Sequence, residues 1–209
     1  MKNLQEILNN LFTWIYRLMI SNFLWVFFSL YGFILGGVFP STSALFAICR
    51  KWIKGEEFNI YKTFKYYYEK DYKNSNILGY TMLCIIVILI LDYMYFSAGS
   101  SVFDLYMSYL FIFLFIFMII SFIVMYSIYN NYELSLKDNL KFILIYPFSN
   151  LIISMVLAVL LSLVIYFIYV YIPPLRMFIG ISLPILITVY ITNINFNIIT
   201  KKQISLSYQ

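Results

Sequence analysis

Apolar residues run along this chain in long unbroken blocks and do not alternate with polar ones. Ile77 to Leu91, Leu105 to Ile128, Leu151 to Ile172 and Phe178 to Ile191 pass almost without an ionised side chain. Each block, with modest flanks, reaches the roughly 20 residues that a helix needs to cross the hydrocarbon of a bilayer. Continuous runs argue against a transmembrane barrel, whose strands alternate. A further apolar stretch from Leu18 to Phe39 has no small-residue cleavage pattern after it and is expected to stay in the protein as a helix. The pattern predicts an all-α integral membrane protein, a single polytopic domain over 1–209. It has about five transmembrane helices, near 18–38, 77–96, 105–129, 150–172 and 175–198, plus interfacial amphipathic helices and a cytoplasmic elbow over 41–76.

Punctuation along the chain refines this. Leu4, Ile7, Leu8, Leu11, Phe12 and Ile15 recur at helical spacing, which predicts an interfacial helix before the first span. Gly36, Gly37 and Pro40 are expected to break the chain, and Ser41 or Ser43 to cap the helix that follows. Asn59 is a candidate cap for an amphipathic helix in which Tyr61, Phe64, Tyr68 and Tyr72 form one stripe beside Lys62, Lys65, Lys70 and Lys73. An aromatic stripe flanked by lysines fits a helix at headgroup level, and this one is positioned to continue into the second span. Ser101 with Asp104 and Ser135 with Asp138 match capping boxes. Pro173 and Pro174 predict a turn, and Pro184 predicts a kink in the last span.

Charge sets the orientation. The chain has 14 Lys and Arg, nine Asp and Glu and no His, a net charge of +5. Seven of the cations, Arg50, Lys51, Lys54, Lys62, Lys65, Lys70 and Lys73, lie between the first two spans. With five spans the positive-inside rule places the C-terminus, Lys201 and Lys202 included, in the cytoplasm of a bacterial plasma membrane. The N-terminus, with Lys2 and Arg17, then lies outside. If Ile20 to Ile48 form a re-entrant pair instead, both termini lie inside.

Candidate chemistry is sparse. Asp92 is the one acid inside an apolar run, and Arg17 is expected at the same outer level, so an Arg17–Asp92 pair is predicted as a structural alternative to a transport role. Cys49 and Cys84 stand apart with no histidine in the chain, so neither a metal site nor a disulfide is expected. No nucleophile motif, phosphate loop or magnesium-binding acid cluster is present. Glu56–Glu57 reads as a solvated turn. Asn193, Asn195 and Asn197 read as packing or cytoplasmic-end groups. No catalytic centre, cofactor or nucleic-acid partner is expected.

One stretch is more specific. Gly36-Gly37-Val38-Phe39-Pro40-Ser41-Thr42-Ser43-Ala44 leads through Leu45 to Cys49 into Arg50-Lys51-Trp52-Ile53-Lys54-Gly55-Glu56. It resembles the YesL-like family of small bacterial membrane proteins, a domain of unknown function. That family's pattern is a Gly/Pro break, a small Ser/Thr/Ala run, Arg-Lys-Trp-x-x-Gly-Glu, and then an aromatic-basic helix containing Phe64. Phe39 departs from the small residue that the resemblance implies at its position. The resemblance implies a non-enzymatic accessory protein of a carbohydrate ABC importer, with Pro40, Arg50, Lys51, Trp52, Lys54, Gly55 and Phe64 as motif residues that dock a partner or, alternatively, only anchor the elbow to anionic lipid. Permease and ATPase subunits are the implied partners beside the lipid bilayer, and a homo-oligomer is compatible. The chain lacks an E-A-A-x-x-x-G coupling loop, which argues against its being the pore-forming permease. A small independent transporter or channel using Asp92 is the alternative.

Overall fold

The protein is seen in a computed structural model that describes residues 4–131, 135–172 and 174–207. Lys2 and Pro173, and the side chains of Arg176, Asn197, Lys201 and Lys202, lie outside the described residues. The described chain is helical throughout: α1 Leu4–Tyr31, α2 Val38–Ile53, α3 Ile60–Lys70, α4 Tyr72–Ser97, α5 Val102–Asn131, α6 Leu136–Ser149, α7 Leu151–Tyr171, α8 Leu175–Ile179 and α9 Ser182–Ser207. Four of these, α1, α4, α5 and α7, are long and apolar enough to cross a membrane, and the apolar part of α9, Ser182–Phe196, is shorter.

The predicted caps are found. Ser101 Oγ accepts from the Asp104 N–H at 3.1 Å while an Asp104 carboxylate oxygen accepts from the Ser101 N–H at 3.1 Å, a reciprocal capping box. Ser135 accepts from the Asp138 N–H to open α6, and Asn59 Oδ1 accepts from the Lys62 N–H at 3.0 Å to open α3.

The first third of the chain differs from the sequence reading. The amphipathic segment and the first span are one continuous helix, α1, and it stops at Tyr31. A turn over residues 32–37 follows, with Phe33 at φ 55° and Ile34 at φ 62°. Pro40 does not break the chain. It sits in the first turn of α2, where a backbone N–H has no helical acceptor anyway. Gly37 occupies the cap position, and Ser41 and Ser43 are buried inside the helix. Pro184 is likewise in the first turn of α9, so it starts that helix rather than kinking it. The expected last span is interrupted instead at Gly180–Ile181.

α2 is the centre of the bundle. Eleven of its 16 residues are buried, among them Ala44, Leu45, Ile48 and Cys49, and it packs against α1, α3, α4, α5 and α9. It runs back along α1. Trp25 Nε1 donates to Thr42 Oγ1 at 3.0 Å, and Trp14 meets Trp52 edge to face at 6.4 Å. The start of α1 and the end of α2 therefore share one end of the molecule. This is the geometry of the alternative reading, in which Ile20 to Ile48 double back as a pair, with the helix break at residues 32–37 instead of at the end of a span over 18–38.

Opposite α2, α4 carries a close approach. A Cβ on Gly79 would lie 2.3 Å from the Phe39 ring, so the large residue at position 39 fits because its neighbour has no side chain. Phe39 also packs edge to face on Tyr80 at 5.0 Å. Gly79→Ala is expected to cost about 1–3 kcal/mol by overpacking. Phe39→Leu in the same chain should restore part of the loss, read as the thermal midpoint in detergent. Equal midpoints for Gly79→Ala and wild type would show that the contact is loose.

Candidate functional site: a basic elbow between α2 and α4

The end of α2 follows from local chemistry. Gly55 takes φ +75°, which a side chain disfavours, and its N–H bonds the Trp52 carbonyl at 3.0 Å. The Glu56 N–H reaches back to the Lys51 carbonyl at 3.0 Å, completing a Schellman closure that turns the chain sharply toward α3. The Lys51 ammonium and Glu56 carboxylate pair across the same turn. That bond holds the Lys51 pKa above and the Glu56 pKa below their ordinary values.

Trp52 is buried and ties three segments together. It stacks on Phe58 at 5.8 Å and meets Trp14 of α1, and the Arg17 guanidinium lies 5.3 Å from the Trp14 ring and 5.6 Å from the Trp52 ring. Arg17 is thus held beside the end of α2. Asp92 lies five residues from the end of α4, beside the turn to α5. The predicted Arg17–Asp92 pair is not formed, because the α1–α2 hairpin returns Arg17 to the elbow end of the molecule.

The aromatic stripe also takes a different direction. Phe64 and Tyr68 are buried, with ring centroids 5.2 and 4.9 Å from Phe28 of α1, while Tyr61 and Tyr72 stay half-exposed. The stripe faces protein rather than headgroups. Its buried line continues through the joint between α3 and α4 as Asp71, Ser75, Leu78, Met82 and Ile86. Of the motif residues, Pro40, Trp52 and Phe64 are buried, Arg50 and Lys51 are partly buried, and Lys54 and Gly55 are open to solvent.

Arg50 reaches the last turn of α5. Its guanidinium donates to the Asn130 carbonyl, and Asn130 Nδ2 donates to the carbonyls of Tyr126 at 2.9 Å and Ser43 at 3.2 Å. A cation on terminal carbonyls is favourable for the helix dipole. Arg50, Lys51, Lys54, Glu56, Tyr67, Ala47 and Asn130 together enclose a polar cavity of about 190 Å³.

Two features went unnoticed in the sequence. Asp71 is buried at the α3–α4 joint, where its carboxylate accepts from Tyr129 Oη of α5 at 2.9 Å. Asp71 sits in a charged run that reads as solvated, and only its helical offset from Tyr68 and Ser75 places it on the inward stripe. Lone asparagines are the second. Asn76 of α4 donates to the Gly36 carbonyl at 3.0 Å, and Asn22 of α1 bonds the Met177 carbonyl at 2.7 Å and the Ile181 N–H at 3.2 Å.

A second cavity, about 520 Å³, opens between α2, α5, α7 and α9. Its hydroxyls are all engaged: Thr42 donates to Val38, Ser162 to Ala158 and Thr188 to Pro184 within their own helices, and Tyr126 to the Ser75 carbonyl of α4. The rest of its wall is almost wholly apolar.

These observations define an all-α integral membrane protein whose first four helices fold around a basic elbow. A family model described as "Protein of unknown function, DUF624" matches residues 18–93, which run from within α1 to near the end of α4. Three Bacillus subtilis proteins, each described as uncharacterised, are similar to the chain. YteU is 42% identical over 80 residues, 38% of this chain and 36% of the relative. YesL is 35% identical over 86 residues, 41% of each chain, and YesV 29% over 117 residues, 56% of each. The matches thus span from about a third to just over half of the relatives' length. Over its α1–α4 unit, the part that the family model matches, the chain is similar to the YesL-like, DUF624 proteins. No solved structure gives a significant match.

Burial raises the Asp71 pKa, and the Tyr129 hydrogen bond only partly opposes this. An acid with a raised folded-state pKa contributes stability that is complete below its unfolded value and is lost as pH rises through the folded one. Asp71→Asn keeps an acceptor for Tyr129 and removes that loss. At neutral pH the variant is expected to melt above wild type, with the gap closing toward pH ~4. A gap that widens on acidification would mean that the ionised form is the one the fold favours.

Proposed function

We propose that this protein is a non-enzymatic accessory subunit of a membrane assembly, docking its partner through the basic elbow. The observation that carries this reading is the coincidence of the family match with the α1–α4 unit that builds the elbow. The elbow's buried parts, Trp52, Phe64 and Tyr68, are fixed by packing against α1. Its outer face carries Lys54, Lys62, Lys65 and Lys70 in the open. A rigid base under an exposed charged surface suits recognition, since the partner meets a surface that is already ordered. The first turns of α1 pass beyond Trp52 and expose Ile7, Leu8, Leu11 and Phe12, which adds an apolar strip at the same end.

The YesL-like resemblance directs the choice of partner to the permease or ATPase subunit of a carbohydrate ABC importer. The elbow is then cytoplasmic, where positive charge accumulates, and the start of α1 lies on the same side. The independent-transporter reading draws little support from the 520 Å³ cavity, which offers no line of free polar groups and is not lined by Asp92.

The test is co-purification of a C-terminally tagged chain from its own host in mild detergent. Importer subunits are expected with wild type and should fall several-fold with Lys62→Glu plus Lys65→Glu, two exposed changes that leave the packed base intact. A chain that purifies alone as a stable species, or with subunits unaffected by both changes, contradicts the docking role.

A further inference from the structure

We infer that the polar cavity under the elbow is a binding site for a phosphate oxyanion, supplied by the headgroup of an anionic lipid. Three cations, Arg50, Lys51 and Lys54, line it against one carboxylate, Glu56, which Lys51 already neutralises. Two positive charges are left uncompensated within a space of about 190 Å³. Arg50 Nε is buried and meets no hydrogen-bond partner among the described residues, although the same guanidinium is anchored on Asn130. A buried donor without an acceptor is costly, and a bound oxyanion removes that cost. Lys54 makes no ion pair among the described residues and stands at the cavity's open side. Tyr67, also in the wall, adds a phenol that can donate to a phosphate oxygen.

Position selects the source. The cavity lies beside the last residues of α5, where a membrane-crossing helix ends. Headgroup phosphates occupy that level of a bilayer, and each lysine there contributes on the order of 1 kcal/mol of attraction to anionic lipid. The site goes beyond the docking role and does not need a partner protein to be occupied. A bound lipid would join the α2 end, the elbow and α5 from outside the chain.

The experiment uses the full purified chain in a zwitterionic detergent, with short-chain phosphatidylglycerol, short-chain phosphatidylcholine and inorganic phosphate as separate probes. Binding is read as the rise in thermal midpoint and as Trp fluorescence, since Trp52 neighbours the cavity-lining Lys51. Phosphatidylglycerol is expected to act at concentrations where phosphatidylcholine does not. Lys54→Gln should weaken it about fivefold, the effect of one lysine near a headgroup. Lys62→Gln, on the exposed face away from the cavity, should leave the affinity unchanged. Equal responses to the two lipids, or equal losses for both lysine variants, would overturn the site in favour of diffuse surface charge. Inorganic phosphate acting as well as phosphatidylglycerol would overturn the lipid source and leave a soluble phosphate as the ligand. None of these outcomes bears on co-purification with an importer, so the two readings fail separately.

Discussion

Peptide groups that leave a helix inside a bilayer have no water to bond, and each unpaired one costs several kcal/mol. This chain breaks its helices repeatedly beside membrane-spanning segments, and that constraint organises the rest of the fold. At the turn over residues 32–37 the Leu35 carbonyl receives Tyr80 Oη at 2.7 Å and the Gly36 carbonyl receives Asn76 at 3.0 Å. At the α8–α9 break Asn22 bonds backbone on both sides. At the α6–α7 break Asn195 of α9 donates to Asn150 Oδ1 and Tyr146 Oη, each at 2.9 Å. At each of these three interruptions an asparagine from another helix bonds the break and ties the bundle together there.

The depth of the α1–α2 turn follows from lengths. α2 has 16 residues, about 24 Å at 1.5 Å per residue, against a hydrocarbon core of roughly 30 Å. From Tyr80, which bonds the turn, α4 runs on to Ser97, about 25 Å farther. The turn therefore lies partway along the bundle, well short of the end where α4 meets α5. Its tip is apolar: Phe33, Ile34 and Leu35 are 91%, 56% and 75% exposed, a costly arrangement in water and a favourable one in lipid. Left-handed backbone at Phe33 and Ile34 costs on the order of 1–2 kcal/mol each, and the closing bonds from α4 offset it.

Much of this was readable in advance, for reasons that differ between elements. Capping boxes and the Asn59 cap are local, so three or four residues determine them. The long spans follow from hydropathy and length alone. Pro40 and Pro184 were misread because a proline in the first turn of a helix and a proline that breaks one look alike until the helix start is known. The hairpin stays one of two readings in the sequence because a hydropathy profile gives α2 no mark distinguishing it from the end of a longer span. The stripe from Phe64 to Tyr68 was recognised as a face, yet aromatic residues suit a headgroup belt and a protein core equally well. Asp71 was hidden by its charged neighbours. Asn22 and Asn76 left a faint signal, since single asparagines at the edge of apolar runs are costly unless they bond something.

Around these constraints the elbow emerges as the part of the shared unit that is both rigid and exposed. Trp14 and Arg17 of α1 brace it at Trp52, and Arg50 ties it to Asn130 of α5. The central claim beneath this is that α1 and α2 enter and leave the membrane on one side. The most direct test is labelling by a membrane-impermeant maleimide in a chain with Cys49→Ala and Cys84→Ala, carrying one new cysteine at a time. Glu6→Cys and Lys54→Cys are predicted to react from the cytoplasmic face in inverted vesicles, and Phe33→Cys from neither face. Reaction of Phe33→Cys from the outside of intact cells, or of Glu6→Cys and Lys54→Cys from opposite faces, would contradict the re-entrant hairpin and the docking geometry built on it.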